Sequence, residues 1–215
     1  LTVAEVLREV YNLKAETKWP NDVLINGRKV CGILSEMSTT GEKVNYAIVG
    51  VGVNANFNVK KAFPEELWES ATSVESELGR KVKLEELFRA LLEKLDNIYE
   101  QLLKEGFNST LEKWKNYAGF LGCQVEVAGE AEKLSGLALD VDSEGALVLG
   151  LGDGRVKRVF VGDLSLQMKG GCLHFVVGCE FDEFKRYLER IGLYKKEGEL
   201  ARLETFLRNG LFNLI

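Results

Sequence analysis

The stretch Lys18-Trp19-Pro20-Asn21-Asp22-Val23-Leu24-Ile25-Asn26-Gly27-Arg28-Lys29-Val30-Cys31-Gly32-Ile33-Leu34-Ser35-Glu36 sets turn formers and charged groups between apolar strand patterns. Pro20-Asn21-Asp22 is a strong turn signal. Val23-Leu24-Ile25 is a short strand, and Asn26-Gly27 is a two-residue hairpin connection, because both residues accept the positive φ that a type I′ turn requires. Lys29 to Met37 is then the partner strand. Polar groups squeezed between core strands add little to stability, so this stretch reads as a site carried on a rigid scaffold.

Outward from it, residues 15 to 19 form a strand and Lys43 to Val53 another, so a β-meander runs from about 15 to 56. Val3, Val6, Leu7, Val10 and Tyr11 recur at helical spacing and predict a helix over 2–12. Gly50 and Gly52 interrupt the third strand, where glycine marks close approach of a ligand or another backbone. Asn54, Asn56 and Asn58 follow where that strand ends. Residues 60 to 80 are mixed, with a short helix after Pro64 and a turn at Gly79-Arg80. Leu84, Leu87, Phe88, Leu91, Leu92, Leu95, Ile98, Tyr99, Leu102 and Leu103 predict a long amphipathic helix that covers a core and stops at Gly106. A second helix is expected over 109–117.

After Gly119 the texture changes to short strands, 125–127, 135–140, 146–151 and 156–161, with turns at Gly129, at 142–145 and at 152–154. That spacing predicts a small all-β barrel over 119–168. Beyond it, Gly170-Gly171 reads as a linker, and 180–191 and 197–208 as helices. The expected organisation is an α/β (α+β) domain over 1–118, the barrel, and a helical tail over 169–215. The chain begins at Leu1 inside a helical pattern, as expected of a fragment, of an odd start or of the downstream half of a split protein.

The composition suits a soluble globular chain: of 215 residues, 46 % are apolar and 28 % charged, enough for a real core. A net charge of −5 with no basic stripe argues against a nucleic-acid partner. No apolar run reaches the roughly 20 residues that span a bilayer, and no secretory signal is visible. Cys31, Cys123, Cys172 and Cys179 are scattered, without Cys-x-x-Cys, which favours reduced thiols in a cytoplasm. Cys172-x-His174 with Cys179 offers three ligands at a spacing that is not a zinc pattern, so no protein-bound metal is expected.

Lys-Trp-Pro-Asn-Asp-Val, then Gly-Arg-Lys-Val-Cys-Gly-Ile-Leu-Ser-Glu, then Val-Gly-Val-Gly-Val-Asn-Ala-Asn, in this order and spacing, resemble the biotin protein ligase family. Ala71-Thr72-Ser73-Val74, the long helix and Phe160-Val161-Gly162-Asp163-Leu164-Ser165-Leu166 are similar to that family as well. The resemblance covers residues 1 to about 168. It implies a mixed-sheet catalytic domain followed by an SH3-like barrel. It also implies a reaction: biotin and ATP give biotinyl-5′-adenylate and pyrophosphate, Mg²⁺ accompanies the nucleotide, and biotin passes to a lysine of a biotin carboxyl carrier protein. A lipoate ligase shares the catalytic fold, but the Lys-Trp-Pro-Asn-Asp run and the barrel argue against it.

The resemblance assigns roles to single residues. Lys29 matches the lysine between the biotin carboxylate and the α-phosphate; without the match it reads as a solvated residue after a hairpin. Asp22 is the second catalytic candidate, activating the acceptor lysine or standing near Mg²⁺; its plain reading is a turn-capping carboxylate. Gly32, Ile33 and Gly50 are assigned to biotin, with Gly32 lacking a side chain that would collide with the ring, although a bulge also explains a glycine. Asn21, Gly52 and Asn54 are assigned to ATP or the adenylate; both asparagines also read as turn residues. Trp19 reads as core, and Lys18 as pointing toward solvent or a core edge.

Two departures matter. The family's Gly-Arg-Gly-Arg-x-Gly-Arg loop, which grips carboxylate and phosphates, does not occur in these 215 residues. Gln167 stands where some members carry an arginine. The expectation is therefore a chain that pairs with a complementary N-terminal half or is inactive alone, with a homodimer as a further assembly. The alternative function is a binding module without catalysis, which completes a split ligase or docks a carrier domain. No winged helix is present, so no DNA partner is expected.

Overall fold

The site rests on a helix that ends early. In the computed structural model, which describes residues 1–41, 43–128 and 133–166, α1 covers Thr2–Glu9 and buries Val3, Ala4, Val6 and Leu7. The predicted helix over 2–12 is three residues too long: Val10 is exposed and Asn12 turns the chain with a φ of 54°, a left-handed conformation that asparagine tolerates. The chain divides into two units, Leu1–Gly119 and a second that begins at Phe120.

In the first unit, β1 (Ala15–Lys18), β2 (Asp22–Ile25), β3 (Arg28–Thr40) and β4 (Lys43–Val53) form an antiparallel sheet in the order β1-β2-β3-β4. The hairpin between β2 and β3 has φ of 52° at Asn26 and 76° at Gly27, the pair of values that Asn-Gly supplies at low cost. The expected mixed character reduces, among the described residues, to one parallel bridge, Lys29 with Ala71. The inner faces of β2 and β3 pack Val23, Ile25, Val30 and Cys31 against α1, Val74 and Leu87.

Segment 54–80 corrects the sequence reading. The helix α2 (Val59–Ala62) precedes Pro64, capped by the Asn58 side chain, which accepts from the Lys60 N–H. After Pro64 comes only a 3-10 turn, Glu65–Leu67. A helix not expected from sequence, α3 (Val74–Leu78), is capped by Ser73 and ends at Gly79 with a φ of 69°. Helix α4 (Leu84–Glu105) and helix α5 (Phe107–Lys115) meet at Gly106.

Two apolar patterns do not do what periodicity suggested. One edge of α4 meets α1, through Leu87, Leu91 and the Lys94 ammonium, which pairs with Glu5 and Glu9. Its other edge, Phe88, Leu92, Leu95, Tyr99 and Leu103, is exposed, so α4 covers the core with only part of its stripe. Likewise β3 and β4 run past the core as a two-stranded ribbon, leaving Met37, Tyr46, Ile48 and Val49 exposed. Periodicity reports that a face is apolar, not what covers it.

The second unit is a five-stranded antiparallel sheet, β5 (Gln124–Ala128), β6 (Lys133–Val141), β7 (Leu147–Leu151), β8 (Val156–Val159) and β9 (Asp163–Leu166), in the order β8-β7-β6-β5-β9. Its core holds Val125, Val127, Leu147, Leu149 and Leu164. The strand expected over 156–161 stops at Val159. Gly162 then turns the chain (φ 156°), where a Cβ would come within 2.7 Å of Val127. The turn at Gly129, Gln167, the linker at 170–171, the Cys172, His174 and Cys179 set, and the two tail helices lie outside the described residues.

Candidate active site

A β-bulge builds the site. In the β2–β3 pairing Leu24 faces Lys29, but Val23 faces Cys31 and Asp22 faces Gly32, so Val30 is the extra residue. Val30 and Cys31 are consequently both buried on the core side, and Lys29 and Gly32 come to the same, outer face although they are three residues apart. The backbone of Lys29 is fixed from outside the hairpin. Its N–H donates to the Ser70 carbonyl at 2.8 Å, and its carbonyl accepts from the Thr72 N–H at 2.9 Å.

Lys29 and Asp22 are brought together. The Lys29 ammonium lies 2.6 Å from Oδ1 of Asp22; the carboxylate is 9 % exposed and the lysine side chain 47 %. Among the described residues Oδ1 makes no hydrogen bond of good geometry, so the contact with the Lys29 ammonium is an ion pair. Lys18 also reaches the carboxylate, at 3.6 Å from Oδ2, with its side chain 20 % exposed, at the core edge rather than in solvent. Two ammoniums, those of Lys29 and Lys18, thus stand against the one carboxylate. Burial, with the Asp22 carboxylate nearby, pushes the Cys31 thiol up to about 11, so it is neutral at physiological pH and supplies no thiolate. Trp19 is buried, as its core reading has it.

The outer face beside Lys29 is floored by glycine. Gly32 pairs with Gly52, and Leu34 with Gly50. An open cleft of about 500 Å³ lies there, lined by Asn21, Lys29, Gly32, Ile33, Leu34, Gly50, Val51 and Gly52. A Cβ at Gly50 or Gly52 would make only ordinary contacts, 3.5 and 3.6 Å from strand carbonyls. The packing of the protein itself therefore does not require glycine at these two positions.

The asparagines are partly committed to the fold. Asn21 clamps the turn to β3: its Nδ2 donates to the Ile33 carbonyl at 2.7 Å, and the Ile33 N–H donates back to the Asn21 carbonyl. Asn54 stands beside the cleft rather than in its lining; its Nδ2 donates to the carbonyls of Thr72 and Lys29, at 2.9 and 3.4 Å. Its Oδ1 remains as an acceptor.

Sequence reasoning missed the support for the hairpin. Glu77, 7 % exposed, accepts from Thr72 Oγ1, from the Arg28 guanidinium at 2.7 Å and from Asn26 Nδ2 at 2.9 Å. It ties α3 to the turn that carries Lys29. The available signal was the Ser73 cap with Gly79, which marks α3 as a helix. Glu77→Gln is expected to lower unfolding free energy by about 1–3 kcal/mol, the range for hydrogen bonds to charged groups, as read by urea denaturation.

Among the described residues no three His, Cys, Asp or Glu side chains converge as a metal site, and no helix is long and apolar enough to cross a membrane.

Residues 1–54 match the biotin/lipoate A/B protein ligase family and residues 120–166 the biotin protein ligase C terminal domain. The bifunctional ligase/repressor BirA of Bacillus subtilis is 31 % identical over 166 residues, 77 % of this chain and 50 % of that protein. The biotin–[acetyl-CoA-carboxylase] ligase of Paracoccus denitrificans is 35 % identical over 132 residues, 61 % of this chain and 55 % of that protein. Thus the chain spans about half the length of the curated relatives it matches. Among solved structures, the Aquifex aeolicus biotin protein ligase in complex with biotin and ATP superposes with a TM-score of 0.64 at 26 % identity, covering 77 % of this chain and 67 % of that one. With both domain types present in this order, the chain belongs to the biotin protein ligase family.

Proposed function

We propose that this chain serves ATP-dependent protein biotinylation in the cytoplasm. The observation that carries the reading is Lys29, an ammonium held beside a cleft whose floor is glycine. In the first step a biotin carboxylate oxygen attacks the α-phosphorus of ATP, the bond to pyrophosphate breaks, and biotinyl-5′-adenylate forms. In the second, the amine of a carrier-protein lysine attacks the biotinyl carbonyl, AMP leaves, and the amine loses a proton. Lys29 stands between the two anions of the first step, as a compact charge with three donors. Asp22 takes the acceptor's proton or stands near the nucleotide's Mg²⁺. A lone carboxylate already paired with Lys29 is a poor resident metal site, so the ion would arrive with the nucleotide. Gly32, Ile33 and Gly50 bound the biotin end; Gly52, Asn21 and the Oδ1 of Asn54 serve the adenylate. In the second unit, the five-stranded sheet corresponds to the SH3-like barrel of this reading.

The test supplies the chain with biotin, ATP and a biotin carboxyl carrier protein and follows biotinyl-lysine by mass spectrometry, with titration of biotinyl-5′-adenylate by calorimetry. Label on the carrier supports the reading; neither label nor binding heat overturns it for this chain. Gly52→Val separates floor from fold. It is expected to fold at least as stably as the parent, because glycine in a strand costs roughly 0.5–1 kcal/mol. It is also expected to lose adenylate affinity by about tenfold or more, the scale of an overpacked contact.

A second reading rests on the β3–β4 ribbon, exposed on both faces with β4 at the sheet edge. Such an edge is a template for another chain, and it supports a binding role toward a carrier domain, a complementary N-terminal half, or a second copy. Sedimentation of the wild-type chain is expected to depend on concentration, and Ile48→Lys to abolish that dependence. A wild-type chain that stays monomeric removes the second copy from the reading. The repressor half of the Bacillus name stays with that protein.

A further inference from the structure

We propose that Asp22 is a positioning residue for Lys29, and that Gly32 lacks a side chain to make room for the lysine rather than for biotin; this rests on the ligase reading. Three observations converge. The bulge at Val30 puts Lys29 and Gly32 on one face. Asp22, the register partner of Gly32, holds the Lys29 ammonium at 2.6 Å. A Cβ built on Gly32 would lie 3.1 Å from both Cε and Nζ of Lys29 and 3.7 Å from Oδ1 of Asp22.

The lysine stem therefore crosses directly over residue 32 to reach the carboxylate. A long, flexible side chain loses rotamer freedom when it is held in one place. Here that freedom is removed before a ligand arrives, by a carboxylate largely shielded from solvent and by a floor with no Cβ. A methyl at residue 32 would meet the flexible end of Lys29, so it would displace the ammonium before it disturbed the strand. In the role the resemblance assigns it, Gly32 meets the ligand; in the geometry, the first atoms a side chain there meets belong to Lys29.

The test compares the wild-type chain with Asp22→Asn, Gly32→Ala and Lys29→Met, and with the two doubles on the Lys29→Met background, after circular dichroism has shown each to be folded. Two quantities are read: affinity for biotinyl-5′-adenylate by calorimetry, and the rate at which Lys29 is acetylated by limiting acetic anhydride, measured by mass spectrometry against other lysines. Asp22→Asn and Gly32→Ala are each expected to weaken adenylate binding about tenfold, the scale of one charge-assisted contact. On the Lys29→Met background each is expected to cost less than about twofold, because coupled groups do not add. Both single variants are expected to change the acetylation rate of Lys29 by several-fold and to leave other lysines alone. The proposal is overturned if either substitution costs the same factor with and without Lys29, or if Lys29 reacts at the wild-type rate in both. Should the wild-type chain bind no adenylate, the ligase reading fails for this chain, and the acetylation rates still decide whether Asp22 and Gly32 position the lysine.

Discussion

Lys29→Met is expected to lower biotinyl-adenylate formation by about 10²–10³-fold, the cost of removing one preorganised donor from a site where anionic charge is brought together. The assay is biotin-dependent exchange of pyrophosphate into ATP, run on whichever assembly of the chain shows it. The size follows from the setting. Lys29 is the cation among the residues that line the cleft, so its loss leaves a carboxylate and a triphosphate facing each other across glycine. Lys29→Arg is not expected to rescue, because a planar guanidinium cannot take the path of a narrow stem over Gly32. Lys18→Met provides the comparison. Lys18 reaches the same carboxylate at 3.6 Å but does not line the cleft, so its loss should cost less than about tenfold. Equal losses from the two lysines would move the reacting cation from Lys29 to the pair.

The parts of the fold that were legible in the sequence are those fixed by local chemistry. Asn26-Gly27 announces its own turn, and the alternation on either side announces the strands it joins. Gly106 ends α4 where expected. What was not legible depends on distant partners. The role of Val30 as a bulge residue is invisible in a run of apolar residues, yet it decides that Lys29 and Gly32 share a face. Asn21 and Asn54 read equally well as turn residues and as ligand contacts; the structure shows each spending an amide on a strand or loop carbonyl far away in sequence. Glu77 looked like one charge among many on a short helix, and it organises the hairpin through Thr72, Arg28 and Asn26.

The apolar stripe on α4 carries the same lesson with the opposite sign. Its spacing specified a helix correctly, but spacing does not say how much of the stripe meets a neighbour. Leu87 is buried, while Phe88, one residue on, is 62 % exposed. The ribbon of β3 and β4 repeats this: Cys31 is buried on the bulge, and Met37 on the same strand is 71 % exposed. Burial is set by what packs across an element, and one chain's periodicity records only its side of that contact.

The exposed stripes raise the expected cost of any loss in the core that remains. Leu7→Ala is expected to lower the unfolding free energy of the first unit by about 2–5 kcal/mol, the range for deleting a buried leucine side chain. Leu7 is fully buried in the cluster that joins α1 to Val23, Ile25, Val30 and Cys31, and a folded domain of this kind has only about 5–15 kcal/mol in hand. The cavity would open in the core cluster that also holds Val30 and Cys31 of the bulge. Urea denaturation followed by tryptophan fluorescence measures the loss, since Trp19 is buried in this unit. Adenylate affinity, measured at low temperature where the variant is still folded, is expected to fall as well, by severalfold, because Val30 and Cys31 set the aim of Lys29 and Gly32. The exposed substitution Lys104→Ala should change stability by less than about 0.5 kcal/mol and affinity not at all. If Leu7→Ala cost no more than Lys104→Ala, α1 would not be part of the platform that holds the bulge, and the position of Lys29 would have to be set by Ser70, Thr72 and Glu77 alone.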